Sequence, residues 1–316
     1  MTRTTWQWSL ERIQAPRAWR ITSGDPSVVV AVLDTGVDPR HPDLQGKVLP
    51  GVNLFEPNKP AHDDNGHGTA VAGIIAAQGG IRDRFRGVAP DCRILPVKIN
   101  KPRTGSVHAA QIAEGIRQAL AHGADVLNLS VGCEIGEPGF NHATMADLAN
   151  AIYEALRRGV PVVCAGGPRE RKTYPAAWET LPEFAGLIAV GATDRKDRLH
   201  MWSPRWDYVS LVAPADATTT FPVSSPFLHA RFGGTSAASP HVAGVLALMR
   251  TLRPELKPRE LKRILLETSD KIRGGRVLRV NAFRALQALG GREALREREQ
   301  LNKTRKTSSN TLQYSS

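Results

Sequence analysis

The stretch that most limits the fold is Val28-Val29-Val30-Ala31-Val32-Leu33, a continuous apolar run ending in Asp34-Thr35-Gly36. It is β-branched at four of six positions, and neither face offers a polar side to water. Such a strand belongs inside a parallel sheet covered on both sides. Further strands are predicted over 93–99, 126–130, 187–192 and 209–214, with segments of helical spacing between them. Ile112, Ile116, Ala119 and Leu120 recur at the helical interval behind Ser106, the predicted cap. Leu148, Ile152, Ala155 and Leu156 do the same in a helix predicted over 145–158. Alternating strands and helices predict an α/β fold: a single-domain three-layer sandwich, its mostly parallel sheet carrying helices on both faces. Chemistry in such a sheet gathers at the carboxyl ends of strands, which is where Asp34 stands.

A chain of 316 residues, 41% hydrophobic, supports one large domain or two small ones. Periodic segments run without a linker to about residue 290, so one domain over 1–290 and a basic, polar, flexible tail over 291–316 are expected. No run of 18 apolar residues exists to span a membrane. The start, Met1-Thr2-Arg3-Thr4-Thr5-Trp6, lacks the charged-then-apolar pattern of a secretory leader. Cys92, Cys133 and Cys164 are few and odd in number, which argues against a disulfide framework and for small buried hydrophobes. A cytoplasmic setting is therefore expected, with a secreted mature form as the alternative.

Two further stretches carry candidate chemistry. In Gly233-Gly234-Thr235-Ser236-Ala237-Ala238-Ser239-Pro240-His241, two glycines permit a sharp turn before an apolar helical segment. Ser236 then falls in a first helical turn, where unpaired N–H groups and the helix dipole favour a developing oxyanion. Pro240 is out of place inside a helix, since it removes one N–H donor. Asn65-Gly66-His67-Gly68-Thr69 opens a second small-residue helix over 70–77. Taken singly, these are a turn Asp, a capping His and a loop Ser. Together, Asp34, His67 and Ser236 follow one of the known chain orders of a catalytic triad.

The three blocks resemble those of the subtilisin-like serine proteases, the subtilase family. Arg86-Gly87-Val88-Ala89-Pro90, Asp125-Val126-Leu127-Asn128-Leu129-Ser130-Val131-Gly132 and Leu187-Ile188-Ala189-Val190-Gly191-Ala192 extend the likeness over roughly residues 8–289. The resemblance implies a serine endopeptidase acting on polypeptides through an acyl-enzyme. In it Asp34 orients the base, His67 is general base and acid, and Ser236 is the nucleophile. It also implies that Ser130, Val131 and Gly132 bind an extended substrate backbone, and that Ala165 and Gly166 also belong to the substrate-binding residues. The chain departs from the family at Gly167, where an oxyanion-binding Asn is usual. Losing one such donor costs roughly 10²–10³-fold in kcat. The substitutes considered are the Ser236 backbone N–H with water, the Thr235 hydroxyl, or a side chain of Arg169, Arg171 or Lys172. The alternative is a weakened or inactive peptide-binding protein of the same fold. Glu170, among the cations of the 168–173 loop, raises a negative pocket for a basic substrate residue.

No cofactor is expected. The resemblance leaves one metal open, a calcium at Asp43, but Arg82, Arg84 and Arg86 nearby oppose a cation, and Asp83 is the lone carboxylate there. From residue 250 onward the chain holds 17 Lys and Arg against 7 Asp and Glu, most of its net +12. A solvated basic face explains this, and attraction to an acidic partner is the sharper reading. No zinc-ligand spacing, phosphate-binding glycine loop or aromatic platform accompanies the charge, so a nucleic-acid reader is not expected.

Overall fold

The apolar run forms a strand buried along its whole length. The structure, a computed structural model, describes residues 7–79, 85–101, 107–137, 140–205, 207–222, 224–225, 228–272, 277–294, 296 and 300. Two short helices, α1 (Trp8–Arg12) and α2 (Ala15–Ala18), lead into β1 (Val29–Asp34) and β2 (Val52–Asn53). Next come α3 (His67–Ala76), β3 (Arg93–Lys98), α4 (Ala109–Ala121), β4 (Val126–Leu129), β5 (Cys133–Glu134), α5 (His142–Arg157) and β6 (Val162–Ala165). Beyond β7 (Thr173–Tyr174) lie β8 (Leu187–Thr193), β9 (Leu211–Pro214), and the ribbon of β10 (Asp216–Thr220) and β11 (His229–Gly233). The chain continues through α6 (Thr235–Leu252), α7 (Pro258–Thr268), β12 (Asp270–Ile272), β13 (Val277–Arg279) and α8 (Ala282–Ala288).

Nine strands make one sheet in the order β12-β13-β9-β8-β6-β4-β1-β3-β2. Its neighbours pair in parallel except at the β12–β13 edge. From β1 the chain first crosses to the edge at β2 and steps back to β3, then passes β1 to β4 and continues the other way. That reversal leaves a crevice at the carboxyl ends of β1 and β4, the favoured place for a ligand in an open α/β sheet.

Alternation along β1 feeds two separate cores. Val30 and Val32 pack with Val71 and Ile75 of α3 and with Val242 and Leu246 of α6. Val29, Ala31 and Leu33 face Ile112 and Ile116 of α4 and Leu148 and Ile152 of α5. These layers are the expected three-layer α/β sandwich. No helix among the described residues is long and apolar enough to cross a membrane.

Several boundaries differ from the sequence reading. Ser106 lies outside the described residues, and α4 begins at Ala109 behind His108, whose N–H donates to Gln111 Oε1 at 2.7 Å. The second helix starts three residues before 145, because Asn141 caps it by accepting the Thr144 N–H at 3.0 Å. Packing also reaches past residue 290: Ala294 is fully buried and Arg292 Nε donates to the Arg20 carbonyl at 2.8 Å. Residues 301–316 of the expected tail lie outside the described residues. All three cysteines are buried and free, and burial pushes the thiols up, Cys92 to about 12 and Cys133 to about 11.

Candidate active site

Asp34 closes β1 and is wholly buried. Its carboxylate accepts the Thr35 N–H at 2.7 Å and faces His67 Nδ1 at 2.8 and 3.0 Å. An ionised carboxylate can only accept, so Nδ1 carries a proton and a neutral His67 presents Nε2 bare. His67 is the first residue of α3, directly after Gly66 at φ 104°. Its side chain is 27% exposed, and its ring meets Phe232 edge-on at 5.0 Å. The close approach of α3 to β1 depends on Gly68, where a Cβ would stand 2.0 Å from the Gly36 carbonyl. Burial lowers the His67 pKa, but the Asp34 charge and hydrogen bond, with Asp63 beyond, outweigh it and leave the imidazole above its ordinary 6.5.

Two supporting groups escaped the sequence reading. Asp63 accepts from the Thr35 hydroxyl at 2.8 Å, the Gly66 N–H at 2.8 Å, the Thr69 N–H at 2.9 Å and the Thr69 hydroxyl at 2.6 Å. It thereby ties the end of β1 to the loop that delivers His67. Lys98 stands beside Asp34 in the β1–β3 register, and its Nζ donates to the Thr35 carbonyl at 2.6 Å and to Asp64 at 2.7 Å. The available signals were an Asp just before an Asn-Gly turn and a Lys closing a strand whose interior is apolar.

Ser236 lies in the first turn of α6, after Gly234 at φ 79°. Pro240 has no N–H to give the Ser236 carbonyl four residues earlier. Ser130 replaces that donor, its hydroxyl reaching the Ser236 carbonyl at 3.0 Å. Asn128 Nδ2 supports the Ser130 hydroxyl at 3.0 Å, and the Ser239 hydroxyl is 2.9 Å from it. In return, the Ser236 hydroxyl donates to the Ser130 carbonyl at 2.9 Å. The end of β4 and the start of α6 are thus bonded in both directions. In this rotamer Ser236 is turned toward Ser130 and makes no hydrogen bond to His67.

Beside Ser236 opens a cleft of about 360 Å³. Ser130, Val131, Gly132, Ala165, Gly167, Thr235 and Ser236 line it, with Thr173 packed against both Gly132 and Gly167. Gly166 is not in the lining. Its N–H continues the β6–β8 ladder to Val190 at 2.9 Å, and its carbonyl accepts the buried Tyr208 hydroxyl at 3.0 Å. Gly167 has φ 86°, and a Cβ there would stand 1.9 Å from Thr173 Oγ1 and 2.5 Å from Thr173 Cβ. Thr173 therefore fills the space a longer residue would need. Of the substitute donors, Arg171 is engaged by Glu134 at 2.6 Å and Arg169 lies 3.5 Å from Glu170. Thr235 Oγ1 donates to the Gly167 carbonyl over a long 3.5 Å. The Ser236 N–H stays in the first helical turn, where no intrahelical acceptor exists.

The Asp43 carboxylate, at the position the resemblance leaves open for calcium, faces His229 Nε2 at 2.6 Å. His41 Nδ1 accepts the Asp43 N–H at 3.1 Å, and Nε2 lies 3.0 Å from the Leu228 carbonyl. His41, Asp43 and His229 cluster closely, but two imidazoles and one carboxylate poorly suit a cation that prefers six to eight oxygens. Arg82, Asp83 and Arg84 lie outside the described residues.

The sequence model of the subtilase (peptidase S8) family matches residues 25–299. The chain belongs to the subtilase family. This subtilase is 37% identical to a thermophilic serine proteinase of Bacillus sp. (strain AK1) over 289 residues, covering 89% of the chain and 67% of that protein. It is 34% identical to thermitase of Thermoactinomyces vulgaris over 288 residues, covering 89% of the chain and 96% of thermitase. Among solved structures it resembles fervidolysin of Fervidobacterium pennivorans, with TM-score 0.76 and 30% identity, over 89% of the chain and 45% of fervidolysin. Family and relatives make this subtilase a serine peptidase.

Gly167→Asn in this subtilase should lower stability by about 1–3 kcal/mol through overpacking against Thr173, without raising kcat. Adding Thr173→Gly should recover part of the lost melting temperature. Thermal unfolding and initial rates on both variants check this.

Proposed function

We propose that the chain is an endopeptidase in which Ser236 attacks, His67 transfers protons and Asp34 holds the imidazole. The observation that carries the reading is the Asp34–His67 hydrogen bond, present together with a serine at a helix mouth that opens into a cleft. An extended peptide lies along Ser130-Val131-Gly132 by strand addition. Rotation of Ser236 about χ1 releases the Ser130 carbonyl to a substrate N–H and turns Oγ toward His67 Nε2. His67 takes the hydroxyl proton as Oγ bonds to the carbonyl carbon, and Asp34 stabilises the imidazolium. Negative charge on the carbonyl oxygen meets the Ser236 N–H and the dipole of α6. The imidazolium then protonates the leaving amine, and water deacylates Ser236 by the same route reversed.

The presence of Asp34, His67 and Ser236 together supports turnover over mere peptide binding, since a binder needs neither the oriented imidazole nor the poised hydroxyl. The proposal extends to an acidic partner drawn by the C-terminal cations, an attraction that weakens as salt rises.

A fluorophosphonate probe should label the wild-type protein and leave Ser236→Ala unlabelled, read by intact-protein mass. Labelling that survives Ser236→Ala would contradict the assignment. As a base His67 works only when neutral, so kcat/KM should rise with pH around a midpoint above 6.5. Asp34→Asn should move that midpoint down. The linked stability has the opposite sense: the His67–Asp34 contribution is full below the unfolded value and fades as pH rises through the raised one. A pH–rate series alongside pH-dependent unfolding checks both signs.

A further inference from the structure

We infer that Glu134 gives the cleft a preference for a basic substrate side chain, whose place Arg171 takes in the resting protein. The inference rests on the endopeptidase reading and names the substrate class of the same site. β5 and β7 pair antiparallel, with Glu134 directly opposite Thr173 and Cys133 opposite Tyr174. Opposed residues share a face and successive residues alternate. Thr173 is on the cleft face, against Gly167, so Glu134 is too, while Cys133 enters the core. Among the described residues that line the cleft, Glu134 carries the one charge.

Its side chain is only 15% exposed, too withdrawn for water alone to balance the carboxylate. The counter-charge present is Arg171, on the loop after Pro168, whose Nη1 donates to Glu134 Oε2 at 2.6 Å. Arg171 itself is 71% exposed. A pair with one freely solvated partner contributes little, because screening and side-chain entropy consume most of the attraction. Arg171 is therefore easily displaced. A substrate Lys or Arg entering beside Thr173 and Trp202 is shielded from water more than the exposed Arg171 is, and that shielding strengthens its charge-assisted bond to Glu134. Glu137 accepts the Glu134 N–H at 3.1 Å and adds a second negative charge beside the turn. Since Ser236 and Gly167 bound the same cleft, the side chain that enters belongs to the residue contributing the scissile carbonyl.

The test uses the full chain and fluorogenic peptides identical except for Arg, Lys, Leu or Glu at that residue. In wild type, kcat/KM for Arg and Lys should exceed that for Leu by about 10-fold or more, the scale of a hydrogen bond to a charged group, with Glu lowest. Glu134→Gln should shrink the Arg-to-Leu ratio by about the same factor, and Arg171→Ala should enlarge it. If Leu is cut as well as Arg, or if both variants leave the ratio unmoved, the inference is overturned while the endopeptidase reading stands. If no peptide is cut and Ser236 takes no fluorophosphonate, the endopeptidase reading fails. Binding of the same peptides, followed by fluorescence anisotropy, then decides the inference alone: tighter binding of Arg and Lys that weakens in Glu134→Gln supports it, and indifference to the residue overturns it.

Discussion

A carboxylate without access to water must find donors or lose its charge, and Asp34 sits at the end of a strand buried along its whole length. Its donors are the Thr35 N–H and His67 Nδ1–H, so the buried charge decides which imidazole nitrogen is protonated and where the ring lies. Reaching that carboxylate requires the first turn of α3 to touch the turn after β1, which is why a bare Gly68 faces the Gly36 carbonyl. Asp63 and Lys98 brace the same contact from either side, one through Thr35 and Thr69, the other through the Thr35 carbonyl. The imidazole is thus positioned by the sheet rather than by a loop of its own.

A second coupling joins the nucleophile to the substrate strand. Pro240 leaves the Ser236 carbonyl without its helical donor, and a lone carbonyl in that buried place would be costly. Ser130 supplies the missing bond and receives one from the Ser236 hydroxyl. The strand that would carry a substrate backbone is therefore in register with the serine that would attack it. A residue that looks like a helix breaker in the sequence proves to be the reason β4 and α6 are locked together.

The large elements were legible because hydrophobic spacing encodes them. The apolar run of β1 required a covered parallel strand, and the glycine turns around Asp34, His67 and Ser236 marked a chemical edge. Less legible was anything decided by one side chain meeting a distant backbone. Ser106 has the chemistry of a cap, yet α4 begins after His108. Gly166, read as substrate-binding, has its N–H taken by the Val190 carbonyl in the β6–β8 ladder. Gly167 stood out as a departure, but its partner Thr173 is brought to it only by the β5–β7 ribbon. Glu134 reaches the cleft through that same pairing, which no local pattern announces.

Proton transfer at this site depends on the tautomer that Asp34 imposes on His67. Nitrogen NMR of isotopically labelled protein, taken above the His67 titration, reads it directly. The predicted result is a protonated Nδ1, with its proton shifted far downfield by the carboxylate, and an unprotonated Nε2. A spectrum showing Nε2 protonated and Nδ1 bare, with the same outcome in Asp34→Asn, would contradict it.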